Sequence, residues 1–447
     1  MISLGALLVI LALGSTLRYQ AFARSVVPDY PRADAAEYFL SAYNLINFGV
    51  YSSGNLVLLP ASTDKVVARQ EIKPDAIRTP GYPLYLSLFL GGEYSKSQSD
   101  GARLGQVILS SLTMVLAYLA FVQFGRLYAL GITLLVALSP HLINMNLFLL
   151  SETLFCFFLM LFVLILSHLK ASSHMWMFFL AGLFLALATV TRPWILGYLF
   201  VITAYVMFSK LNFSRDQIFL LLFGAAVVIT PWLLRNATVS GDVPAPSQLT
   251  KSIHHGMYPD MMYENDSKSL GYAYKADPLS PELDKSLALT LAEIVRRARI
   301  DPAKYANWYL VGKTKTILSW EIMQGAHPLL VYPVENSPYF EVPKFYISAY
   351  YMEKIHASLM VMALIGLLLV WLPARLQPCG DGRVFFIRAA SLLLIYFLLM
   401  HTIVAPYPRY AIPMRPILYA MALYPIVFLA GLGWVGKNRQ ARNSALQ

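Results

Sequence analysis

Seven charged residues of this chain have types suited to chemistry on a phosphate. They are Asp34 and Glu37 in "DAAEYFLSAYNLINFGVYS", Arg78 before "TPGYPLYLSLFL", Glu152 in "SETLFCFF", Arg192 in "TRPWIL", Arg235 in "PWLLRN" and Arg409 in "PRYAIPMRP". Guanidinium groups hold a phosphate and neutralise it as it departs, and a carboxylate takes the proton of an incoming hydroxyl. Taken singly, each has an ordinary explanation. A lone arginine at a helix end is usually a snorkelling anchor. Glu152 gains a few tenths to about 1 kcal/mol in the first turn of a helix, and Asp34 serves as an N-cap. Their joint placement has to be judged from the elements that carry them.

Those elements are apolar helices. Of 447 residues, 57% are hydrophobic and 13% charged, and the mean hydropathy is +0.56, outside the range of soluble domains. Crossing about 30 Å of hydrocarbon takes roughly 17–25 residues, and windows of that kind fall near 2–22, 103–124, 128–146, 150–168, 175–191, 194–209, 216–234, 356–373, 384–403 and 411–434. The expected class is therefore an all-α polytopic membrane protein of about ten transmembrane helices. The first window lacks a leading basic residue and a small-residue cleavage site, so it reads as a retained helix rather than a signal peptide.

Lys and Arg in short loops set the orientation. With a cytoplasmic N-terminus, one side receives Arg126, Lys170, Lys210, Arg215, Arg375, Arg383, Arg388, Lys437, Arg439 and Arg442, and the other receives Arg192, Arg409 and Arg415; Arg18 and Arg24 dissent. Both termini are then cytoplasmic, and two long segments lie outside. The first, 23–102, includes an amphipathic helix near 33–49 whose stripe is Ala36, Phe39, Leu40, Tyr43, Leu45 and Ile46, lying on the membrane surface. The second, 235–355, carries a helix in "SPELDKSLALTLAEIVRRARIDP" and an aromatic run "NWYLVGKTKTILSW". The organisation is a membrane module at 1–234, an outer loop domain at 235–355 and C-terminal helices with a short tail at 356–447. On this topology all seven charged candidates share the outer side. A transporter would place such groups near the bilayer midplane.

The net charge of +11 is spread over short loops rather than gathered on a folded basic face, so no nucleic-acid partner is expected. Cys156 and Cys379 are in an apolar run and a polar loop, with no metal or disulfide spacing. His254 and His255 are adjacent, and adjacent side chains seldom reach one ion, so they do not read as a metal pair. Tyr82, Tyr258 and Trp308 are the aromatic candidates for contact with a sugar or acceptor, although such runs are more often core or interfacial belt.

The quoted motifs, in this order, resemble the polytopic glycosyltransferases of the C-type fold, in the branch of the protein O-mannosyltransferases and the bacterial lipid A aminoarabinose transferase. The resemblance implies a multi-pass protein of a bacterial inner membrane. It would move a sugar, with inversion, from a polyprenyl phosphate to a lipid, glycan or protein acceptor at the periplasmic face. The family's first-loop carboxylate falls on Asp34, its second acidic position on Glu152, the basic residue before P-G-Y-P on Arg78 and the R-Y of the last outer loop on Arg409. Relatives often show adjacent Asp-Glu in the first loop; here Ala35 and Ala36 separate Asp34 from Glu37. Arg78, Arg235, Arg409 and Arg192 would bind the donor phosphate. No cofactor is required, and a divalent metal ion is compatible with paired carboxylates. The alternatives are a lipid-linked glycan polymerase or ligase, and a lipid or small-molecule transporter.

Overall fold

The computed structural model describes residues 2–28, 31–54, 72–92, 95–239, 246–373, 376–377 and 379–444. The membrane module comprises α1 (Ile2–Arg24), α2 (Asp34–Phe48), α3 (Gly81–Ser87), α4 (Lys96–Phe121), α5 (Arg126–Leu138), α6 (Pro140–Asn144), α7 (Glu152–His168), α8 (Met175–Thr191), α9 (Leu196–Met207) and α10 (Arg215–Val239). Short helices follow: α11 (Pro246–His255), α12 (Ala273–Ala276), α13 (Ser280–Leu283), α14 (Leu287–Ile300), α15 (Pro302–Asn307), α16 (Lys313–Ile317) and α17 (Pro338–Glu341). The chain ends with α18 (Pro343–Val370), α19 (Asp381–Ile403) and α20 (Arg415–Ser444). Among the described residues there is no strand, only isolated bridges at Val26–Asn336 and His327–Leu330.

Among the described residues, six helices are long and apolar enough to cross a membrane, and a seventh span forms if the bent pair of α5 with Pro140–Leu147 counts as one. Three shorter apolar helices, Glu152–His168, Met175–Thr191 and Pro193–Met207, complete the set that hydropathy outlines. The pair bends by 53° at Ser139-Pro140, because proline supplies no N–H and holds the preceding residue extended; Ser139 has φ −64° and ψ 109°. In the bundle, α8 and α10 touch through glycines. A Cβ on Gly182 would lie 1.9 Å from the Leu221 carbonyl oxygen, and one on Gly224 would lie 2.1 Å from that of Phe179. Small residues permit this backbone approach where lipid gives helices no hydrophobic reason to associate.

The structure departs from the sequence reading at three elements. Arg18 is not a loop charge. It is buried in α1, where its guanidinium donates to Ser110 Oγ at 2.7 Å and to the carbonyls of Gly14, Val136 and Ala137, tying α1 to α4 and α5. The α2 helix does not lie on a surface through the expected stripe. Ala35, Tyr38, Phe39, Leu40 and Ala42 are buried and Ile46 is exposed, because Tyr38 meets Tyr82 of α3 edge-on at 5.1 Å and the helix is drawn into the core. The helix expected from Ser280 breaks at Ser286, whose side chain instead caps α14 by accepting from the Leu289 N–H.

The segment that carries α11 to α16 is fastened to the end of α19 beside Arg409. Ala405 N–H donates to the Ser252 carbonyl at 2.8 Å. Buried Lys313 donates to the carbonyls of Ile403 and Val404 at 3.2 and 3.1 Å, satisfying the open C-terminus of α19. Burial pushes the Lys313 ammonium down to about 7.

Candidate active site

The turn at 75–81 fixes Arg78. Asp75 is buried and accepts from Ser52 Oγ (3.1 Å), Ser53 N–H (2.7 Å), Ser53 Oγ (3.0 Å) and Ile77 N–H (3.1 Å), closing the base of the first outer loop. Pro80 then caps α3. Arg78 is left facing α2, where its Nη2 pairs with Asp34 Oδ1 at 2.6 Å and its Nε with Glu37 Oε2 at 2.6 Å. Its guanidinium carbon lies 4.9 Å from the centroid of the Tyr38 ring.

The same Asp34 holds a second arginine through its other oxygen, since Arg409 Nη2 bonds Oδ2. Arg409 Nε lies 3.1 Å from Glu152 Oε1, which also meets Arg192 Nη2 at 2.6 Å. The result is one chain of alternating charge, Glu37–Arg78–Asp34–Arg409–Glu152–Arg192, assembled from five distant segments. It runs from the rim to the interior, from a side-chain exposure of 43% at Glu37 to 1% at Glu152. The contacts of Glu152 are ion pairs without hydrogen-bond alignment, and its Oε2 is buried with no partner.

Electrostatics here is set by the arginines. Burial pushes the Asp34 carboxyl up, but the Arg409 and Arg78 guanidiniums outweigh it and hold the group well below the usual carboxylate range. The backbone at this point is strained. Ala33, which caps α2 without a side-chain bond, has φ 48° and ψ −124°, a left-handed-side conformation that costs a residue with a Cβ of order 1–3 kcal/mol. The expectation that Asp34 caps α2 is corrected, because its side chain is spent on the two arginines.

Of the remaining candidates, Arg192 joins the cluster and Arg235 does not. The Arg235 guanidinium donates to the backbone carbonyls of Asp75 and Tyr51 and stacks near Tyr51 and Trp232, so it braces the first outer loop. Tyr82 is buried and donates to Gln106 Oε1 at 2.9 Å. Tyr258 and Trp308 are buried in the segment between α10 and α18, with Trp308 Nε1 donating to the Gly256 carbonyl at 3.0 Å. All three expected sugar contacts are therefore packing residues, with their polar atoms already used.

Other aromatic residues line the cluster. Tyr410 lies 5.4 Å from Arg192 and 5.7 Å from Arg409. Tyr332, packed at 5.4 Å against Phe148, has a buried hydroxyl beside the backbone of Ala35, which burial pushes up to about 12. Tyr410 has a sequence signal in the R-Y pair, and Asp75 has one in the aspartate two residues before Ile77; Tyr332 has none. Beside the turn, an apolar groove of about 510 Å³ runs from Pro80 and Gly81 between α3, α7, α8 and α10. Asp34 and Glu152 do not fit a resident cation as arranged. The contacts of both carboxylates are with guanidiniums, and a divalent ion would have to displace one.

Fold and site together define a polytopic helical membrane protein with an arginine–carboxylate cluster at one end of its bundle. The family model described as dolichyl-phosphate-mannose-protein mannosyltransferase matches residues 85–244, a little over a third of the chain. That family is in the group the motifs resemble. The match contains Glu152, Arg192 and Arg235 but not Asp34, Glu37, Arg78 or Arg409. No curated protein matches the chain. Among solved structures, the apo oligosaccharyltransferase of Archaeoglobus fulgidus is 12% identical with a TM-score of 0.46, over 98% of this chain and 52% of its own. AglB from the same organism, in complex with an inhibitory peptide and a dolichol-phosphate, gives 12% and 0.45 over the same shares. ArnT from Cupriavidus metallidurans, bound to undecaprenyl phosphate, gives 12% and 0.36 over 89% of this chain and 77% of its own. This chain thus spans about half the length of the oligosaccharyltransferases.

Proposed function

We propose that this protein is an inverting glycosyltransferase that takes a sugar from a polyprenyl (undecaprenyl) phosphate. It passes the sugar to a lipid, glycan or protein acceptor at the periplasmic face of a bacterial inner membrane, with both termini cytoplasmic. The observation that carries this reading is the bridging of Arg78 and Arg409 by the single carboxylate of Asp34. A donor phosphodiester offers those guanidiniums two unbridged oxygens and a single negative charge that grows as its bond to the sugar breaks, whereas the charge of a carboxylate stays fixed. Arg78 and Arg409 therefore turn to the phosphate as the transition state forms, and Asp34 is freed beside the anomeric carbon.

With the arginines withdrawn to the phosphate, the Asp34 carboxylate loses what depresses its basicity and accepts the acceptor's proton as the acceptor oxygen bonds to the anomeric carbon. The bond from that carbon to the phosphate oxygen breaks on the opposite face. Arg78 and Arg409 neutralise the departing polyprenyl phosphate. Glu152, through its free Oε2, orients the acceptor, and Arg192 holds Glu152. Tyr332 supplies a neutral hydroxyl donor. The groove from Pro80 and Gly81 suits the isoprenoid tail. Glu37 competes for Arg78 and is the second candidate for the base. No metal step is required.

The binding half of the reading is tested with purified protein and undecaprenyl phosphate. Arg409→Ala and Arg78→Ala should each weaken binding by about tenfold or more, as expected for one lost charge-assisted contact. Equal binding in both variants would contradict it.

A further inference from the structure

A second polar cluster lies in the segment that follows α10 and is built from residues other than those of the carboxylate–arginine chain. His254 and His255 end α11, and Asp284 follows α13. One nitrogen of each ring and one Asp284 oxygen lie within 4.8 Å of one another. Within this group, His254 Nδ1 lies 2.7 Å from Asp284 Oδ1 and His255 Nε2 lies 3.7 Å from the same atom.

The surrounding bonds fix what His254 presents. Asp277 is ion-paired with Arg297 at 2.6 Å and accepts the hydrogen bond of the Tyr258 hydroxyl at 2.8 Å. Tyr258 has one proton, and it is spent there. At 2.7 Å from that hydroxyl, His254 Nε2 is consequently the donor. Nδ1 faces a carboxylate oxygen at hydrogen-bond distance, so a positive centre is needed between them. Either a second proton or a metal ion meets that need. His255 Nε2 is buried and bonds to nothing, and its ring is held by stacking on Tyr274 at 3.6 Å. A proton on His254 accounts for the 2.7 Å contact and leaves the second ring unused; a cation in its place would open that contact to about 3.3 Å and engage His255 Nε2 as well.

We infer that His254 Nδ1, His255 Nε2 and an Asp284 carboxylate oxygen form a binding site for a divalent transition metal of the zinc class, with ligands distinct from the residues of the transfer site. Two imidazoles and one carboxylate suit Zn²⁺ and disfavour Ca²⁺ and Mg²⁺, which take oxygen shells. Ligands at about 2.0–2.2 Å in a tetrahedron stand about 3.3 Å apart, so the three atoms converge with small side-chain adjustments. The Tyr258 and Asp277 relay orients the His254 ring from behind, as metal-bound histidines require. His255 and Asp284 keep side-chain exposures of 20% and 28%, which gives the ion a path in and leaves the fourth position to water. Adjacent histidines argued against such a site in the sequence; Asp284, folded back between them, is what changes the reading.

The site does not depend on the transferase assignment, and its test does not use activity. Full-length protein in detergent is stripped with chelator and titrated with Zn²⁺ against a chromophoric competitor. The expected result is one equivalent bound and a thermal midpoint raised by the metal. His255→Gln and Asp284→Asn should each weaken binding at least tenfold, and Tyr258→Phe by about 10–100-fold. Asp34→Asn and Glu152→Gln should leave it unchanged. A variant counts only if its chelated form melts with chelated wild type, and His255→Gln and Asp284→Asn back each other up. The inference is overturned if wild type binds no stoichiometric zinc, if binding survives both substitutions, or if it is lost with Asp34 or Glu152.

Discussion

Asp34, at the start of α2, is ion-paired with Arg409, 375 positions further along the chain. This contact joins the segment after α1 to the one between α19 and α20, and the side chain that makes it also holds Arg78. The site is therefore closed by charge before any substrate enters, and its consequences are measurable.

Arg78 spans two carboxylates by using Nε and Nη2 separately. Lysine carries the charge but not the fork. Arg78→Lys is expected to fold with a thermal midpoint within a few degrees of wild type and to lose about tenfold or more in transfer rate. Wild-type activity in Arg78→Lys would mean that charge alone suffices at this position.

Stability should report Asp34 at acid pH. Its folded carboxyl is held below the ordinary value of 3.8, so the unfolded chain takes up the proton first as pH falls. The contribution is thus fully present above about pH 4 and is lost below it. The difference in thermal midpoint between wild type and Asp34→Asn should stay constant from pH 8 to pH 5 and shrink only below about pH 4. A difference that fades between pH 7 and pH 5 would contradict the depressed carboxyl.

Gly81 ties the turn to α8. An added Cβ would lie 2.6 Å from Thr191 Oγ1 and 2.8 Å from the Val190 carbonyl oxygen. Gly81→Ala should cost about 1–3 kcal/mol by overpacking and lower activity by displacing Arg78. Heat-induced unfolding and transfer assays on one preparation test both.

Ala33 offers the opposite case. Its positive φ is cheap only for glycine. Ala33→Gly should raise stability by about 1 kcal/mol, and transfer at saturating substrate should fall if the strained cap keeps Asp34 in place. A lower thermal midpoint would show that the strain is not real.

Much of this was legible in the sequence. Hydropathy windows placed most helices within a few residues, because a membrane span is a statement about length and composition, but α4 begins 7 and α18 13 residues before its window, and α20 runs 10 residues beyond its own. The P-G-Y-P punctuation marked a turn, and charged residues at helix ends marked the cluster. What failed depended on tertiary direction. The stripe of α2 was misplaced because the core, not the membrane, receives it. Arg235 looked like the other helix-end arginines until its partners proved to be the carbonyls of Asp75 and Tyr51. Tyr82, Tyr258 and Trp308 could not be told from open platforms, since an aromatic residue's polar handle finds its partner only in the fold. Tyr332 and the approach of Asp284 to His254 and His255 involve contacts that no local pattern encodes.

The central claim is that Asp34 takes the acceptor's proton once a donor phosphate draws its arginines away. It is tested most directly by transfer of radiolabelled sugar from polyprenyl-phosphate donors in membranes, with wild type and Asp34→Asn at matched protein levels. The account predicts transfer by wild type and a fall of about two orders of magnitude or more in Asp34→Asn, the size of lost acid–base catalysis. Transfer by Asp34→Asn at the wild-type rate would contradict it and move the role to Glu37, or to an acceptor that brings no proton.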